Sequence, residues 1–247
     1  MPGNRSTQVI AILLAAGRGS RFGSEHNKVF QTIGGTTILE RAARCLLDHP
    51  RINSLIVVGA AGEEERIGAL LASAFTGRKI RIVKGGDSRQ ESALAGLLAA
   101  SQLEDRQSKG RTLALIHDAA RCFLSQATIT DLIDTISRYH CGAAPAIAVT
   151  DTIRLLDQAG GSVIRTLPRE RLAAMQTPQG ADLDILLSAA RLALGEAVRV
   201  TDDLELLMRI GYPIRLIQGD PLNIKITSPQ DLFFAENFCL SEKDRQA

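Results

Sequence analysis

Short, continuous apolar runs alternate along the chain with longer segments in which apolar residues recur at helical spacing. Such runs, bounded by glycine and polar residues, are typical of strands that are buried on both faces of a sheet. Strands that alternate with helices predict an α/β fold with a mostly parallel sheet and helices on both faces. The predicted strands are residues 9–14, 55–58, 80–83, 113–116, 144–149, 214–217 and 224–227.

Four helix starts carry sequence signals. Residues 37–40 and 88–91 fit the capping box, in which a Ser or Thr and a Glu three residues later bond the free N–H groups of the first turn. Thr201 is followed by two aspartates, which the positive end of a helix dipole favours, so we expect it to open a helix. Pro229 suits the first position of the last helix.

One segment interrupts this alternation. Residues 152–156 and 162–167 are short β-prone runs joined by turn residues, which predicts a β-hairpin arm at about 150–170. Because an isolated hairpin is marginally stable in water, we expect the arm to pack against another surface, a second subunit. The chain is otherwise predicted to form one domain over residues 9–240, followed by a polar tail at 241–247.

Composition and charge narrow the function classes. The 247 residues are 45% hydrophobic and carry a net charge of +2, which argues against a nucleic-acid partner. No apolar run reaches the roughly 18 residues needed to span a membrane. Residues 1–8 are polar and lack the apolar stretch of a signal peptide, so we expect a cytoplasmic protein. The four cysteines and four histidines show neither disulfide nor zinc-ligand spacing.

The loop after the first predicted strand is the most informative segment. Residues 13–23 read Leu-Leu-Ala-Ala-Gly-Arg-Gly-Ser-Arg-Phe-Gly, and Lys28 follows. Small residues after a strand let backbone N–H groups face an anion, with which Arg18, Arg21 and Lys28 can pair. The third glycine of a dinucleotide fingerprint would fall at Phe22, and no Walker A motif is present. The loop therefore predicts another kind of phosphate site, or a turn whose glycines serve geometry alone.

Further polar clusters follow other predicted strands, at the edge where open α/β sheets bind ligands. Residues 85–89 place two glycines before a helix. Asp118 follows the strand at 113–116, where an aspartate could hold Mg²⁺ together with substrate phosphates or could simply cap a turn. Lys225 lies in an alternating segment, where a lysine is more often a solvent-facing edge residue.

Read in order, these motifs form a specific set. They are Leu14-Ala15-Ala16-Gly17-x-Gly19-x-Arg21 with Lys28, Gly85-Gly86-Asp87-x-Arg89-x-x-Ser92, and residues 117–121, 150–153, 176–179, 201–203 and 223–227. The set resembles that of the 2-C-methyl-D-erythritol 4-phosphate cytidylyltransferase family, over residues 9 to about 236. The resemblance implies the Rossmann-like fold of nucleotide-diphospho-sugar transferases, with a protruding β-hairpin arm.

The resemblance also implies roles for individual residues. The residues around the cytosine of CTP, acting largely through backbone groups, are Ala15, Ala16, Gly86, Asp87 and Ser92. Those at the ribose or at a Mg²⁺ ion are Gly17, Asp118 and Ala119, with Asp118 as the metal ligand. The catalytic cations are Arg21 and Lys28, which hold the triphosphate, and Lys225. The remaining residues of the acceptor site are Arg121, Thr152, Arg169, Thr177 and Thr201.

The implied reaction transfers a cytidylyl group from CTP to 2-C-methyl-D-erythritol 4-phosphate and releases pyrophosphate, in the non-mevalonate pathway to isoprenoid precursors. In the family the arm interlocks two subunits, so the resemblance implies a homodimer. Thr152 and Arg169 are then expected to act across the dimer interface.

Several positions differ from the family pattern on the arm and acceptor side, namely Cys122, Pro168, Ala173 and Ala181. Two alternatives therefore stay open: a cytidylyltransferase for another polyol phosphate, such as ribitol 5-phosphate, and a non-catalytic nucleotide-binding module. The Asp-Ala-Ala-Arg sequence at 118–121 argues against the first, because that sister group usually lacks it. The joint presence of Lys28, Asp118 and Lys225 argues against the second.

Overall fold

The computed structural model of the chain describes residues 7–17, 27–103 and 110–246, with side chains described as far as Cys239. In these ranges, seven α-helices cover Ile38–Leu47 (α1), Glu64–Ala74 (α2), Arg89–Ser101 (α3), Gln126–Tyr139 (α4), Leu183–Gly195 (α5), Asp203–Arg209 (α6) and Pro229–Gln246 (α7). The strands are Gln8–Leu14 (β1), Thr32–Ile33 (β2), Thr36–Thr37 (β3), Ser54–Gly59 (β4), Ile80–Lys84 (β5), Thr112–Asp118 (β6), Gly142–Ala148 (β7), Arg154–Leu156 (β8), Val163–Thr166 (β9), Ala173–Met175 (β10), Gln179–Asp182 (β11) and Ile214–Gln218 (β12).

Most strands join one mixed sheet. Its order is β10-β7-β11-β6-β1-β4-β5, and β12 pairs with β7. Strands β6, β1, β4 and β5 run parallel to one another, and β12 runs parallel to β7. Strand β11 lies antiparallel between β6 and β7, and β10 is antiparallel to β7. The mostly parallel α/β sheet predicted from the sequence is therefore confirmed.

The sheet separates two hydrophobic cores, and β1 contributes to both. Ala11 and Leu13 pack on the side that carries α1, α2, α4 and α7. Ile10 and Ile12 pack on the opposite side, against α3, α5 and α6. All four side chains are fully buried, which explains why β1 is a continuous apolar run rather than an alternating one. The carboxyl end of β1 is thereby fixed in the middle of the sheet.

The strand predicted at residues 224–227 is wrong. The segment is an extended connection without a strand partner, although the N–H of Ile226 donates to the carbonyl of Ala120 at 2.8 Å. Ala120 itself lies in the turn after β6, so this single bond does not continue into a ladder. The alternation of apolar and polar residues here reflects one buried side chain, Ile226, beside more exposed neighbours.

Four observed strands were not predicted: the short pair β2 and β3, and two strands of the main sheet, β10 and β11. Strands β10 and β11 consist of Ala, Gly, Gln, Met and Asp, which have low strand propensity. In β11 this composition has a packing reason, because a Cβ on Gly180 would lie 2.4 Å from Cδ2 of Leu115 and 2.9 Å from the carbonyl oxygen of Ala114. The close approach of β6 thus excludes the β-branched residues that would have marked the strand.

The helix starts follow the predicted signals, with one shift. The capping box at residues 88–91 is complete, and at 37–40 the threonine hydroxyl accepts the expected N–H. Pro229 is the first residue of α7. Helix α6 begins at Asp203 and is capped by Asp202, one residue later than predicted. Helix α7 continues through residue 246, so most of the predicted polar tail is helical.

The predicted hairpin arm is confirmed as β8 and β9. The two strands pair antiparallel, and every residue in them is exposed. Four apolar side chains of the hairpin, Leu155, Leu156, Val163 and Ile164, are between 41% and 61% exposed. Exposed apolar residues grouped in this way are typical of a surface that contacts another molecule. Elsewhere, no helix in the described part of the chain has both the length and the apolar character needed to cross a bilayer.

Candidate active site

A cavity of about 570 Å³ opens at the carboxyl ends of β1, β4, β5 and β6. This is the edge where parallel α/β sheets bind ligands. Its wall includes residues from four separate sequence motifs, as the sequence predicted. The predicted site residues in the wall are Ala15, Ala16, Gly17, Lys28, Gly86, Asp87, Ser92, Asp118 and Lys225. Arg18 and Arg21, also expected here, lie outside the described residues.

At this cavity, Lys28 forms a hydrogen bond to a segment that lies 198 residues later in the chain. It begins a short 3₁₀ helix, and its Nζ donates to the carbonyl oxygen of Ile226 at 2.6 Å. Asn27 is the N-cap of this helix and fixes its start to the rest of the fold. Its side-chain amide donates to the carbonyl of Ala15 at 2.7 Å and to Glu63 at 2.8 Å. The Lys28 ammonium is therefore held beside the segment that carries Lys225.

The turn between β5 and α3 is built to expose backbone. A Cβ on Gly85 would lie 2.8 Å from both the Cβ of Ala16 and the hydroxyl of Ser92, so only glycine fits. The Ser92 hydroxyl accepts the N–H of Gly86 at 3.2 Å and donates to the carbonyl of Ser88 at 2.9 Å. Ser92 is 3% exposed, so it shapes the turn, while Gly86 and Asp87 face solvent.

Asp118 is the electrostatic centre of the wall. Lys225 Nζ donates to its Oδ2 at 2.6 Å, and Arg89 Nε donates to its Oδ1 at 3.2 Å. Burial opposes the charge of this carboxylate, but the two cations outweigh burial and hold the pKa of Asp118 at about 2. Asp118 is therefore an anion at neutral pH, and both of its oxygens already have a cationic partner.

Arg89 was not among the predicted site residues. Its second contact is with Asp203, to which Nη2 donates at 2.7 Å. The sequence signal that could have found Arg89 was its position directly after Gly85-Gly86-Asp87-Ser88. Ser88 explains the start of the helix, but the helix start gives no reason for an arginine at 89. Lys84 and Thr227 also line the cavity without having been predicted as site residues. Thr227 belongs to the motif at 223–227, whereas no motif distinguished Lys84 from a surface residue.

His117 forms a fixed hydrogen-bond chain behind Asp118. The N–H of Asp118 donates to the Thr177 hydroxyl at 3.1 Å, and that hydroxyl is 2.9 Å from Nδ1 of His117. The other ring nitrogen, Nε2, is 2.8 Å from the carbonyl of Arg121. Because a carbonyl can only accept, Nε2 carries the proton, and Nδ1 accepts from Thr177. Complete burial lowers the pKa of His117 to about 4, in agreement with this neutral ring.

The predicted acceptor-site residues other than Lys225 do not line the cavity within one chain. Thr177 is 4% exposed and contacts His117 rather than the cavity. Arg121 donates to the carbonyls of Asn223 and Met175, at 2.7 and 3.3 Å, and so anchors the segment that carries Lys225. Ala119, expected at the ribose, is also buried, and its N–H donates to the carbonyl of Leu14 at the cavity rim.

The other predicted acceptor residues lie farther from the cavity wall. Thr201 is exposed and donates both its N–H and its hydroxyl to Glu205. Thr152 and Arg169 are exposed at the base of the arm, where Arg169 donates to the carbonyl of Thr150 at 2.8 Å. Within one chain, these three residues do not line the cavity.

Comparison with known proteins agrees with the motifs of this site. The family model described as IspD, 2-C-methyl-D-erythritol 4-phosphate cytidylyltransferase, matches residues 9–241. The chain belongs to the IspD family. A relative with that name from Halalkalibacterium halodurans is 37% identical over 235 residues, which cover 95% of this chain and 98% of the relative. Neither a different polyol phosphate transferase nor a binding module is favoured by these matches.

Solved structures of IspD proteins share the fold. The 4-diphosphocytidyl-2C-methyl-D-erythritol synthase of Anaerococcus prevotii superposes with a TM-score of 0.79 at 26% identity, covering 94% of this chain and 96% of that one. The 2-C-methyl-D-erythritol 4-phosphate cytidylyltransferase of Thermus thermophilus gives a TM-score of 0.73 at 29% identity, covering 93% and 98%. The Rossmann-like transferase fold implied by the sequence is therefore confirmed.

Two positions where the chain departs from the IspD pattern are core residues. Cys122 and Ala181 are buried, at 2% and 0% exposure, on opposite sides of the sheet. Burial raises the pKa of the Cys122 thiol to about 12, so it is neutral. Neither residue lines the cavity, so both departures change packing behind the site rather than its wall.

The site contains one well-placed carboxylate for a metal ion. Within the described residues, no group of three or more His, Cys, Asp or Glu side chains forms a metal-ligand cluster. Mg²⁺ commonly binds to one or two carboxylates while substrate phosphates and water complete its shell. An ionised Asp118 on the cavity wall, with Asp87 exposed nearby on the same wall, fits that type of site.

The buried neutral His117 makes folding stability depend on pH. In the unfolded chain its pKa returns to about 6.5, so between that value and about 4 only the unfolded state binds the proton. We expect unfolding free energy to fall by about 2 kcal/mol between about pH 7 and about pH 4.5. Urea unfolding at the two pH values measures this loss. His117→Asn should remove most of the dependence. His49→Asn should remove a smaller part, because burial also lowers the pKa of that ring.

A His117→Asn variant with the same pH dependence as the wild-type chain would show that another group is responsible. Asp118 is not a competing explanation in this window, because its stability loss runs from the unfolded pKa of about 3.9 down to the folded pKa of about 2, which lies below pH 4.5.

Proposed function

We propose that this IspD family member transfers a cytidylyl group from CTP to 2-C-methyl-D-erythritol 4-phosphate, releasing pyrophosphate, at the cavity described above. The observation that carries the proposal is the convergence of Lys28, Asp118 and Lys225 on one cavity wall. These residues come from the start, middle and end of the chain, and only the fold brings them together. The cytoplasmic location expected from the sequence is part of this proposal, since CTP is an intracellular nucleotide.

The proposed chemistry needs no general base. A phosphate oxygen of the acceptor attacks the α-phosphorus of CTP, a new O–P bond forms, and the bond to pyrophosphate breaks. The second pKa of a phosphate monoester is about 6, so the nucleophile is already an anion at neutral pH. His117, which precedes Asp118 in the sequence, is neutral and has both ring nitrogens engaged, which suits a mechanism that does not use it.

The physical difficulty is electrostatic, because two anions must meet and further charge develops in the transition state. Lys28 and Lys225 supply preorganised positive charge at the cavity wall, and Arg21 is assigned to the same task from the sequence. We assign Lys28 to the triphosphate, because it lines the same cavity as Gly17. Lys225 faces Asp118 and is assigned to the acceptor phosphate.

We assign the cytosine to the turn between β5 and α3. Gly85 and Gly86 leave the backbone open there, and Ser92 holds the turn from behind. Backbone groups of Ala15, Ala16 and Gly86, with Asp87, would contact the base, and Gly17 would adjoin the ribose. Ala119 is assigned to the ribose from the resemblance alone, since it is buried behind the cavity wall.

Asp118 would hold a Mg²⁺ ion together with the phosphates of CTP. Such an ion supplies Lewis-acid stabilisation of the negative charge on the phosphates. Lys225 and Arg89 each bond one oxygen of this carboxylate and keep it ionised. A carboxylate offers about four lone-pair sites, so a metal ion would bind at a lone pair that these two partners leave.

The acceptor side includes a second chain in this proposal. Thr152 and Arg169 lie at the base of the arm, outside the cavity of their own chain, and the arm carries exposed apolar residues. We propose that the arms of two chains interlock in a homodimer, so that Thr152 and Arg169 of one chain reach the acceptor site of the other. Arg121 and Thr177 support that site from behind, and Thr201 borders it.

Loss of the Lys28 ammonium tests the proposed catalytic role. We expect Lys28→Ala to lower kcat by on the order of 10²–10³, the usual cost of removing one preorganised donor. Pyrophosphate release with CTP, Mg²⁺ and 2-C-methyl-D-erythritol 4-phosphate measures the effect. Lys79→Ala, before β5 at the opposite edge of the sheet, is the matched control and should stay within about twofold of the wild-type rate. A near-normal kcat for Lys28→Ala would refute the assignment.

The proposed dimer depends on the arm. Ile164, 61% exposed in the single chain, is the best position at which to introduce a charge. We expect Ile164→Asp to convert a dimer into a monomer, because an unpaired carboxylate is costly in an apolar interface. Size-exclusion chromatography with light scattering measures the mass. Leu192→Asp, at a residue of α5 that is itself 51% exposed, should leave the dimer intact. A wild-type chain that is monomeric at micromolar concentration would contradict the proposal.

A further inference from the structure

Arg89 links two carboxylates that belong to different parts of the sequence. Its Nε donates to Oδ1 of Asp118 at 3.2 Å, and its Nη2 donates to Oδ2 of Asp203 at 2.7 Å. The Asp118 and Asp203 side chains are only 10% and 2% exposed. A planar guanidinium can bond two acceptors in fixed directions, which an ammonium on a flexible stem cannot do. The geometry therefore depends on arginine and not merely on a positive charge.

The Asp203 end of this link is rigid. Asp203 is the first residue of α6, and its N–H donates to Oε1 of Gln179 at 2.9 Å. The same Gln179 oxygen accepts the N–H of Leu204 at 3.0 Å, and the Asp202 carboxylate caps the helix. The start of α6 is thus fastened to β11, which lies beside β6.

The Asp118 end has one oxygen for each cation. Arg89 bonds Oδ1, so Oδ2 is directed to Lys225 and the cavity. A carboxylate held by Lys225 alone could turn about its Cβ–Cγ bond, because that torsion has a broad energy profile. The Arg89 bond removes this freedom and keeps one oxygen on the cavity side.

We propose that Arg89 and Asp203 are positioning residues, which orient the Asp118 carboxylate for the metal ion that accompanies the nucleotide. The inference rests on the proposed function, since it assumes that Mg²⁺ and CTP bind at this cavity. Asp203 acts through Arg89, and Arg89 acts through Asp118. Asp203, the last residue of the motif at 201–203, then serves the nucleotide side of the site, while Thr201 is assigned to the acceptor side.

Two conservative variants test this chain of contacts. Arg89→Lys keeps the positive charge but loses the planar guanidinium that bonds two carboxylates at once. Asp203→Asn keeps the size and shape of the side chain but removes its negative charge. We expect each to raise the Kd of CTP in the presence of Mg²⁺ about tenfold, as for the loss of one charge-assisted hydrogen bond. The Kd of CTP in EDTA should change by less than about twofold, because the defect concerns the carboxylate that meets the metal. Isothermal titration calorimetry measures both constants.

Asp202→Asn is the matched control. It removes the same charge from the neighbouring residue, but the Asp202 carboxylate bonds Gln179 and the N–H of Glu205 rather than Arg89. We expect its Kd values to equal those of the wild-type chain, and we expect thermal unfolding to show all three variants folded at the assay temperature.

The outcomes separate this inference from the proposed function. If the wild-type chain binds CTP more tightly with Mg²⁺ while Arg89→Lys and Asp203→Asn keep that gain, the inference is overturned and the proposed function stands. Equal losses in Asp202→Asn and Asp203→Asn would also overturn it, since the effect would then follow charge rather than contact. A wild-type chain that does not bind CTP would overturn the proposed function and, with it, the inference.

Discussion

The carboxylate of Asp118, held between Arg89 and Lys225, is the interaction on which the rest of the site depends. It stands at the end of β6, the strand between β1 and β11. Through its two partners it connects the start of α3, the start of α6 and the connection after β12. Two carboxylates and two cations form the group, so the buried charges are balanced, as burial requires.

The second constraint is that side chains from two earlier parts of the chain fix the position of the segment at 223–227. Lys28 bonds the carbonyl of Ile226, and Arg121 bonds that of Asn223, so the segment that carries Lys225 is held from both sides. Its position therefore does not depend on strand pairing. A connection fixed by side chains from elsewhere can carry a cation to the cavity while its own backbone remains free of the sheet. This explains how the segment at 223–227 brings Lys225 to the cavity wall without forming a strand.

Much of this arrangement could be predicted from the sequence. The continuous apolar runs identified the parallel strands, and the rule that ligands bind at their carboxyl ends gathered Gly17, Gly86 and Asp118 at one edge. Strand β11 escaped prediction because the close approach of β6 requires Gly at position 180, where strand propensity would favour a branched residue. Strand β10 escaped because Ala173 and Ala174 carry little strand propensity. The segment at 224–227 was mistaken for a strand because alternation alone cannot distinguish a ladder from one buried side chain.

The individual contacts of the polar residues were harder to predict than the part of the fold in which these residues lie. Thr177 and Arg121 were assigned to the acceptor from the resemblance, yet in one chain their polar groups contact His117 and backbone carbonyls. Arg89 lay within a recognised motif, but its link between Asp118 and Asp203 is a tertiary contact, which spacing along the sequence does not show. Arg21 remains a prediction, because it lies outside the described residues.

The most direct test of the central claim is the choice of acceptor. Pyrophosphate release from CTP and Mg²⁺ should be measured with 2-C-methyl-D-erythritol 4-phosphate and, separately, with ribitol 5-phosphate. The account predicts turnover with the first and kcat/KM lower by at least about 10²-fold with the second, as expected when a site built to bond a substrate's polar groups meets a different pattern of them. Preference for ribitol 5-phosphate, or turnover with neither, would contradict it.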